Sequence, residues 1–392
     1  MRWYACVCTL IWACTSLDTV VAQESSRNIH AVGQLAINGG VQALVLDPDP
    51  EQSRAFVLSG TGELLGVDLS DPARPAASYT VSAPFARDVA LFEYEGISCL
   101  VSAGAEIAVY DVTNGQRAEQ VARVSSPDSL NRIFAYQHSN GQALLWATGS
   151  HSAFAFGLAD LLSGRAGTVL ALEPPEHSGT GVGFSDLFAG FEPESQQDRL
   201  YLAGAGGYYI FNVSDLSSPD LITSISSAAV QRGRAIAPTP NGSHVLALAS
   251  YRTAPMRIFA LSGERVRTAV GAWTDNWQSA LADVVVRWPF AFVAALEDGV
   301  HVVNIFDPEA PYTDAWLRTV PASEIAAAPL FREPRGAARI QVRNHDGLIA
   351  VGDLDRGLWL LRLEAFSGWH GHNWGLPHVS EEQDWTNGPD GK

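Results

Sequence analysis

The sequence has few cysteines, and most of them lie at its start. Of 392 residues only four are cysteine, and Cys6, Cys8 and Cys14 fall within the first 22. Because those residues read as a removable segment, a single cysteine remains and no internal disulfide can form. The stability of the chain must then come from packing. Cys99 lies in the apolar stretch at 97–101 and is predicted to be an inert core thiol.

Positive charge is also scarce. Lysine and arginine number 25 against 42 acidic residues, the formal net charge is −17, and Lys392 is the single lysine. Nucleic-acid binding needs a basic surface, and anionic membranes attract basic segments, so both are excluded as partners. Apolar residues make up 47% of the chain and charged residues 17%. This composition excludes a disordered protein.

The first 22 residues predict an export signal. Arg2 gives a positive start, Tyr4–Trp12 is an apolar run, and Val20–Ala22 fits a cleavage site with small residues. The run is too short to span a bilayer, and no later segment is apolar enough to do so. A lipid anchor at Cys14 is an alternative that the preceding Trp12 disfavours. We therefore expect an exported protein in the periplasm, at the cell surface or outside the cell.

One sequence unit recurs seven times in the body of the chain. Each unit has a second apolar strand that ends in a small residue, as in AFVLSG (55–60), and a third that ends in a turn, as in ELLGVDLSD (63–71). Equivalent positions lie 43 to 58 residues apart; they are Asp68, Asp111, Gly157, Asn212, Ala260, Asn304 and Arg362. Four-stranded units of about 40–50 residues are typical of propeller blades. The repeat predicts an all-β, seven-bladed β-propeller of four-stranded antiparallel blades over residues 23–365.

The last blade needs a strand from elsewhere. The seventh unit shows only three strands, whereas HAVGQLAI (30–37) precedes the first unit and has no partner there. We expect this N-terminal strand to be the outer strand of the last blade, where it covers an edge that would otherwise be exposed.

Several units resemble a known repeat. The segments 67–91, 208–225 and 300–320 each join an apolar third strand to an acidic, Pro-containing turn and an outer strand. This pattern is similar to the LVIVD-repeat family, and the similarity is good in the first, second, fourth and sixth units and weak in the others. The resemblance implies a secreted or surface-associated propeller. It implies no reaction, because fold does not decide function.

The starts of the inner strands align into a charged column. It reads Asp88, Arg132, Asp186, Ala235, Asp283 and Arg339, with Arg87 and Arg234 one position earlier in their strands. One interpretation is ion pairs between blades, Asp88 with Arg132 and Asp283 with Arg339. Another is a Ca²⁺ or Mg²⁺ site with Asp88, Asp186 and Asp283 as oxygen donors. The nearby arginines are better suited to a ligand that carries a carboxylate or a phosphate.

The loops on the face where the inner strands begin are uneven in length. We call it the top face, and three of its loops are long, at 173–184, 273–281 and 321–336. Long insertions on one face of a repeat scaffold usually mark the binding face. Trp273 and Trp277 in the second loop are predicted to be either buried anchors or a platform for a sugar ring or a partner protein.

Residues 366–392 form a tail rich in tryptophan and histidine. Trp369, Trp374 and Trp385 are predicted to pin the tail against the propeller, or else to dock a partner. A metal-binding alternative uses His370, His372 and His378 as ligands for Zn²⁺ or Cu²⁺.

The sequence contains no G-x-S-x-G, Walker A, H-E-x-x-H or C-x-x-C-H motif. The favoured hypothesis is an exported, non-catalytic scaffold, or an accessory subunit of a periplasmic or cell-surface complex. It would bind a protein, or an exposed polymer or glycan, through its top face and tail. One alternative is a hydrolase or lyase with its site at the top-face channel mouth. Another is a metal-binding surface protein that uses the His-rich tail.

Overall fold

The computed structural model describes residues 24–175, 183–226, 232–261, 268–277, 279–326, 334–369 and 385. They form seven four-stranded antiparallel sheets, so the predicted seven-bladed, all-β propeller is confirmed. Within a blade the strands follow each other from the channel outward. The expected signal at 1–22 lies outside the described residues. None of the helices within these ranges is long and apolar enough to cross a membrane.

The first four blades are continuous in sequence. Blade 1 contains β2 (Val41–Leu46), β3 (Arg54–Ser59), β4 (Glu63–Asp68) and β5 (Ala76–Ser82). Blade 2 contains β6 (Ala86–Tyr94), β7 (Ile97–Gly104), β8 (Glu106–Asp111) and β9 (Glu119–Ser125). Blade 3 contains β10 (Leu130–Gln137), β11 (Ala143–Gly149), β12 (Ala153–Gly157) and β13 (Thr168–Leu172), with the short helix α1 (Leu158–Leu162) before β13. Blade 4 contains β14 (Phe184–Glu192), β15 (Gln197–Gly204), β16 (Gly207–Asn212) and β17 (Asp220–Ile225).

The remaining blades complete the ring. Blade 5 contains β18 (Gly233–Pro238), β19 (His244–Ala249), β20 (Met256–Ala260) and the three-residue β21 (Gly271–Trp273). Blade 6 contains β22 (Asp283–Arg287), β23 (Phe290–Ala294), β24 (Val300–Asn304) and β25 (Tyr312–Leu317), followed by α2 (Ala322–Ala326). Blade 7 contains β26 (Ala337–Val342), β27 (Ile349–Asp353), β28 (Gly357–Leu363) and β1 (Ile29–Leu35).

The N-terminal strand closes the ring as predicted. β1 pairs antiparallel with β28, from Ile29 opposite Leu363 to Leu35 opposite Leu358. Ile29 is 1% exposed and belongs to the core between blades 6 and 7. The pairing gives β28 a neighbour on both sides, so the last blade has no unpaired third strand.

Turns on the face opposite the top face have the predicted geometry. Asp68, Asp215 and Asp307 each accept a hydrogen bond from the backbone amide two residues later, at 2.8–3.0 Å. Such turns let an acidic side chain hold the chain reversal after the third strand. The core lies between the sheets and is apolar, and Cys99 is buried within it. Burial raises the pKa of that thiol to about 12, which agrees with an inert cysteine.

Candidate binding site at the channel mouth

A β-bulge recurs near the start of the inner strands. In six of the seven, the pairing with the second strand shifts by one residue, and only β22 in blade 6 pairs without a shift. The residues at the shift are Gln42, Arg87, Asn131, Ser185, Arg234 and Ala338. A bulge leaves one residue without a ladder partner and re-aims its side chain. All of these residues except Ala338 line one cavity at the top of the channel, which we call the channel mouth.

Below the bulges, three aspartates form hydrogen bonds between neighbouring blades. Asp88, Asp186 and Asp283 are each at most 5% exposed, and each accepts a hydrogen bond from a backbone amide of the following blade. The donors are the amides of Ile133 at 2.9 Å from Asp88, Ile236 at 3.1 Å from Asp186, and Ile340 at 3.3 Å from Asp283. One carboxylate oxygen per aspartate is therefore used to join blades 2 to 3, 4 to 5 and 6 to 7.

The second oxygen of each aspartate faces Arg132. The guanidinium lies 3.6 Å from Asp88, 2.9 Å from Asp186 and 3.5 Å from Asp283. Burial opposes the charge on Arg132, but the three carboxylates outweigh it and raise its pKa well above the ordinary value. Burial likewise raises the pKa of Asp283, against the effect of the neighbouring arginines. Arg132, on blade 3, thus joins aspartates of blades 2, 4 and 6 at the centre of the channel.

These contacts decide between the interpretations of the charged column. The ion pair predicted between Asp88 and Arg132 is present. The predicted ion pair between Asp283 and Arg339 is wrong. Asp283 contacts Arg132, whereas Arg339 donates from Nε to the carbonyl of Gln42 at 2.9 Å. The proposed Ca²⁺ or Mg²⁺ donors are the same three carboxylates, and they already bind a guanidinium and backbone amides. Among the described residues, no group of three or more His, Cys, Asp or Glu side chains could hold a metal ion.

Arg339 is a half-buried cation, and none of the carboxylates in the described residues forms an ion pair with it. Burial and the neighbouring charge of Arg132 lower its pKa to about 10, although Asp283 and Asp88 act in the opposite direction. Because these surroundings disfavour the charged form of Arg339, a bound anion would stabilise its positive charge. The unsatisfied positive charge at the mouth therefore centres on Arg339.

Three further arginines surround the mouth and are exposed. Arg87 donates to the Asn131 side chain at 2.7 Å, and Arg234 donates from Nε to the carbonyl of Ala282 at 3.3 Å. Arg232 lines the cavity, and none of the described residues pairs with its guanidinium. Sequence analysis missed Arg232, Gln42, Asn131 and Ser185. Only Asn131 and Ser185 had a signal in the sequence, because each sits one residue before a member of the charged column.

The mouth opens into two adjoining cavities. The first has a volume of about 520 Å³ and is lined by five arginines and two aspartates, and the second has a volume of about 400 Å³. Arg234 and Arg339 line both cavities. The second cavity has an apolar wall formed by Leu281, Leu296 and Leu354. Counting Asp88 beneath the first cavity, five cations face three anions there, which is a local excess of positive charge in a chain of net charge −17.

The arrangement offers binding groups rather than an acid–base pair. Asp88, Asp186 and Asp283 lie where the hydrolase or lyase alternative would have its site. Each directs one oxygen to Arg132 and the other to a backbone amide, so none is positioned as a free general acid or base. The guanidinium groups are suited to fixing a planar oxyanion. The hydroxyl of Ser185 donates to the carbonyl of Gly233 at 2.7 Å and so is not set up as a nucleophile.

The two tryptophans of the 273–281 loop differ in their surroundings. Trp273 ends β21, is 5% exposed and donates from its indole N–H to the Thr313 hydroxyl at 2.9 Å. It is therefore a buried anchor between blades 5 and 6, the first of the two alternatives predicted for it, and it presents little surface to a partner. Trp277 is 60% exposed on the top face. Phe85 and Tyr251, also exposed, lie in top-face connections.

Within the tail, the structure describes residues 366–369 and 385. Trp369 is buried, and its backbone amide donates to the carbonyl of Asn344 at 2.9 Å. Trp385 packs edge-on against Phe92 at 6.1 Å and lines the opposite end of the channel, beside Leu44 and Phe134. The remaining tail positions singled out from the sequence, Trp374, His370, His372 and His378, lie outside the described residues.

Comparison with known proteins does not assign the chain to a family. No protein-family model matches the chain, and no curated protein matches it. The class that fold and site define is a seven-bladed β-propeller with an arginine-lined mouth.

Proposed function

We propose that the protein is a non-catalytic binding propeller that holds a partner on its top face. The observation that carries the proposal is the cationic channel mouth in an otherwise acidic chain. Exposed Trp277, Tyr251 and Phe85 lie on the same face as this mouth. Aromatic and arginine side chains are the types most enriched at the energetic centres of protein interfaces. A protein with acidic groups is the partner that this combination favours.

The cellular setting of this proposal comes from the sequence. The export signal at 1–22 favours the periplasm or the cell surface, where a rigid scaffold or an accessory subunit of a complex would act. The acidic, Pro-containing turns after the third strands favour an LVIVD-type repeat. Sequencing of the mature N-terminus tests the export step, and a start after Ala22 is the expected result.

The test of the binding face compares matched aromatic substitutions. The tagged full-length chain is purified from its own host as wild type, W277A and F306A. Phe306 is 72% exposed but lies in a turn on the opposite face, between β24 and β25. We expect a stoichiometric partner with the wild type and with F306A, and its loss with W277A. Retention with W277A together with loss in F306A would place the interface on the other face and overturn the proposal.

A matched pair of charge variants tests the mouth in the same way. R234Q removes a mouth guanidinium, whereas R74Q removes an exposed arginine from a turn on the opposite face. Both lower the net charge by the same amount. Partner binding is expected to fall in R234Q and to persist in R74Q. Equal loss in both variants would point to bulk charge and not to a site.

A further inference from the structure

The two cavities at the mouth share part of their lining but differ in most of their walls. The first cavity is bordered by arginines and small polar residues, and Asn131 and Ser150 belong to it and not to the second. The second has an apolar wall that includes Leu281 and Leu296, which are each at most 7% exposed. Arg234 and Arg339 belong to both cavities. A ligand that rests on these two arginines can therefore extend over an apolar surface.

The protein's own carboxylates leave the shared arginines available. Asp186 and Asp283 direct their oxygens to Arg132 and to backbone amides. Toward the residues that the structure describes, Arg234 and Arg339 form hydrogen bonds only from Nε, each to a backbone carbonyl. Within that part of the chain, the terminal nitrogens of both guanidiniums are open to a bidentate oxyanion. Burial next to Arg132 lowers the pKa of Arg339 to about 10, and a bound anion would relieve that unfavourable charge.

We propose that the mouth binds an amphipathic carboxylate, with the anionic group between Arg234 and Arg339 and the apolar body against Leu281, Leu296 and Leu354. The inference deepens the proposed function, because it states which chemistry of a partner the top face would recognise. A free small carboxylate and the C-terminal carboxylate of a polypeptide share this chemistry. The volume of the second cavity, about 400 Å³, is that of a typical small-ligand pocket.

Titration calorimetry on the full chain tests the anionic part. Octanoate is the probe, and octylammonium has the same apolar body with the opposite charge. We expect octanoate to bind saturably and octylammonium not to bind. R234Q should weaken octanoate about tenfold, as for the loss of one charge-assisted hydrogen bond, and R74Q should leave it unchanged. Equal binding of the two probes, or equal weakening by R74Q, would overturn the inference.

The apolar part is tested by chain length and by one wall residue. Each methylene that leaves water should strengthen binding about fourfold from acetate to octanoate, until the cavity is filled. Leu354 is half-buried, so L354S should preserve the fold and weaken octanoate more than acetate. Affinities that are independent of chain length, or equal effects of L354S on both probes, would show that the apolar wall is not part of the site.

A comparison of two peptides distinguishes the two sources of the carboxylate. A hexapeptide that ends in leucine is compared with the same peptide bearing a C-terminal amide. Binding of the free acid alone would identify a polypeptide end as a ligand, whereas binding of octanoate alone would identify a small free ligand. Binding of neither refutes the inference. Because these probes need no partner, this result is distinct from failure of the W277A test of the top face.

Discussion

Arg132 is the residue on which the centre of the propeller depends. Its side chain comes from blade 3, yet it contacts carboxylates of blades 2, 4 and 6. Each of those carboxylates also accepts an amide hydrogen bond from the following blade. One cation therefore compensates three buried anions that fix the register between six blades. Such buried charge clusters specify geometry more surely than they add net stability.

Replacing Arg132 should reveal the free-energy penalty of burying those three carboxylates. R132M keeps most of the side-chain volume but leaves three buried carboxylates without a cation, so we expect a loss of about 3–5 kcal/mol in unfolding free energy at pH 8. Burial raises the pKa of Asp283, and removal of the neighbouring cation should raise it further. The penalty from Asp283 is then present above its raised pKa and shrinks as the pH falls through it. Urea unfolding at pH 8 and pH 5 measures the difference.

The control for this prediction is the double variant R132M/D283N. Removing one of the uncompensated anions should recover part of the stability at pH 8 and less at pH 5. If R132M lost the same free energy at both pH values, the carboxylates would not be the origin of the loss.

His301 is a second buried group, outside the mouth. It is 2% exposed in β24, its ring lies 5.3 Å from that of Trp273, and none of the described residues forms a hydrogen bond with either ring nitrogen. Burial lowers its pKa to about 4, with Asp275 raising it and Arg318 lowering it further. Arg318 is in turn paired with Glu24 and Asp298.

This histidine should make the protein sensitive to mild acid. The unfolded chain takes up a proton near pH 6.5, whereas the folded chain does so only near pH 4, so stability falls as the pH drops between these values. The loss would amount to about 3 kcal/mol at most. H301L should unfold with a shallower pH dependence over this interval, as measured by urea midpoints at half-unit steps. An unchanged slope would mean that other groups cause the acid sensitivity.

At the scale of elements, the sequence predicted the strands well where the repeat pattern was regular. The apolar alternation and the acidic turns after the third strand mark each blade by local chemistry. In blade 3 the apolar pattern of the third strand continues through Leu158 and Leu161, but the structure ends β12 at Gly157 and continues as α1, which buries both leucines. Both conformations place these leucines in the core, so apolar periodicity over so few residues could not separate them.

The candidate site was predictable in its column but not in its contacts. The alignment of inner-strand starts identified Asp88, Arg132 and Asp186, because equivalent strand positions face the same channel. The alignment paired Asp283 with Arg339 because the two residues belong to consecutive blades. The structure shows that the long Arg132 side chain reaches across the channel to Asp283. Bulges could not be read from the pattern, so the bulge residues Gln42, Asn131 and Ser185 were missed, and Arg232 was missed because it precedes β18 and lies outside the aligned strand starts.

The tail is an element whose contribution can be measured through one side chain. Trp385 is half-buried against Phe92 at the end of the channel opposite the mouth. W385A should cost about 1–2 kcal/mol, less than the 3–5 kcal/mol typical of a fully buried tryptophan. W277A, at 60% exposure, is the matched control and should be within about 0.5 kcal/mol of the wild type. Equal urea midpoints for W385A and the wild type would show that the tail does not hold the channel end.

At the scale of the whole molecule, the distribution of charge and the closure of the ring both bear on the channel mouth. The net charge of −17 gives the chain an acidic character overall, whereas the five arginines at the mouth make a local region of positive charge. The positions of those arginines depend on all seven blades keeping their places around the channel. β1 secures the ring, because it joins the start of the chain to its last blade across more than 300 residues of sequence.

A substitution in β1 tests whether closure stabilises the whole ring or only one edge. Ile29 is buried with Phe292 and Leu361, so I29A should cost about 2–5 kcal/mol and lower the single unfolding transition. Ile225, equally buried in the outer strand of blade 4, is the matched control, since its blade is continuous in sequence. Hydrogen exchange should show lost protection in blades 6 and 7 and at the start of blade 1 for I29A, because the ring opens there. For I225A the loss should stay within blade 4 and its neighbours. If I29A instead lost protection only within β1 itself, the ring would be held by the packing between blades, and the N-terminal strand would be a cover for one edge.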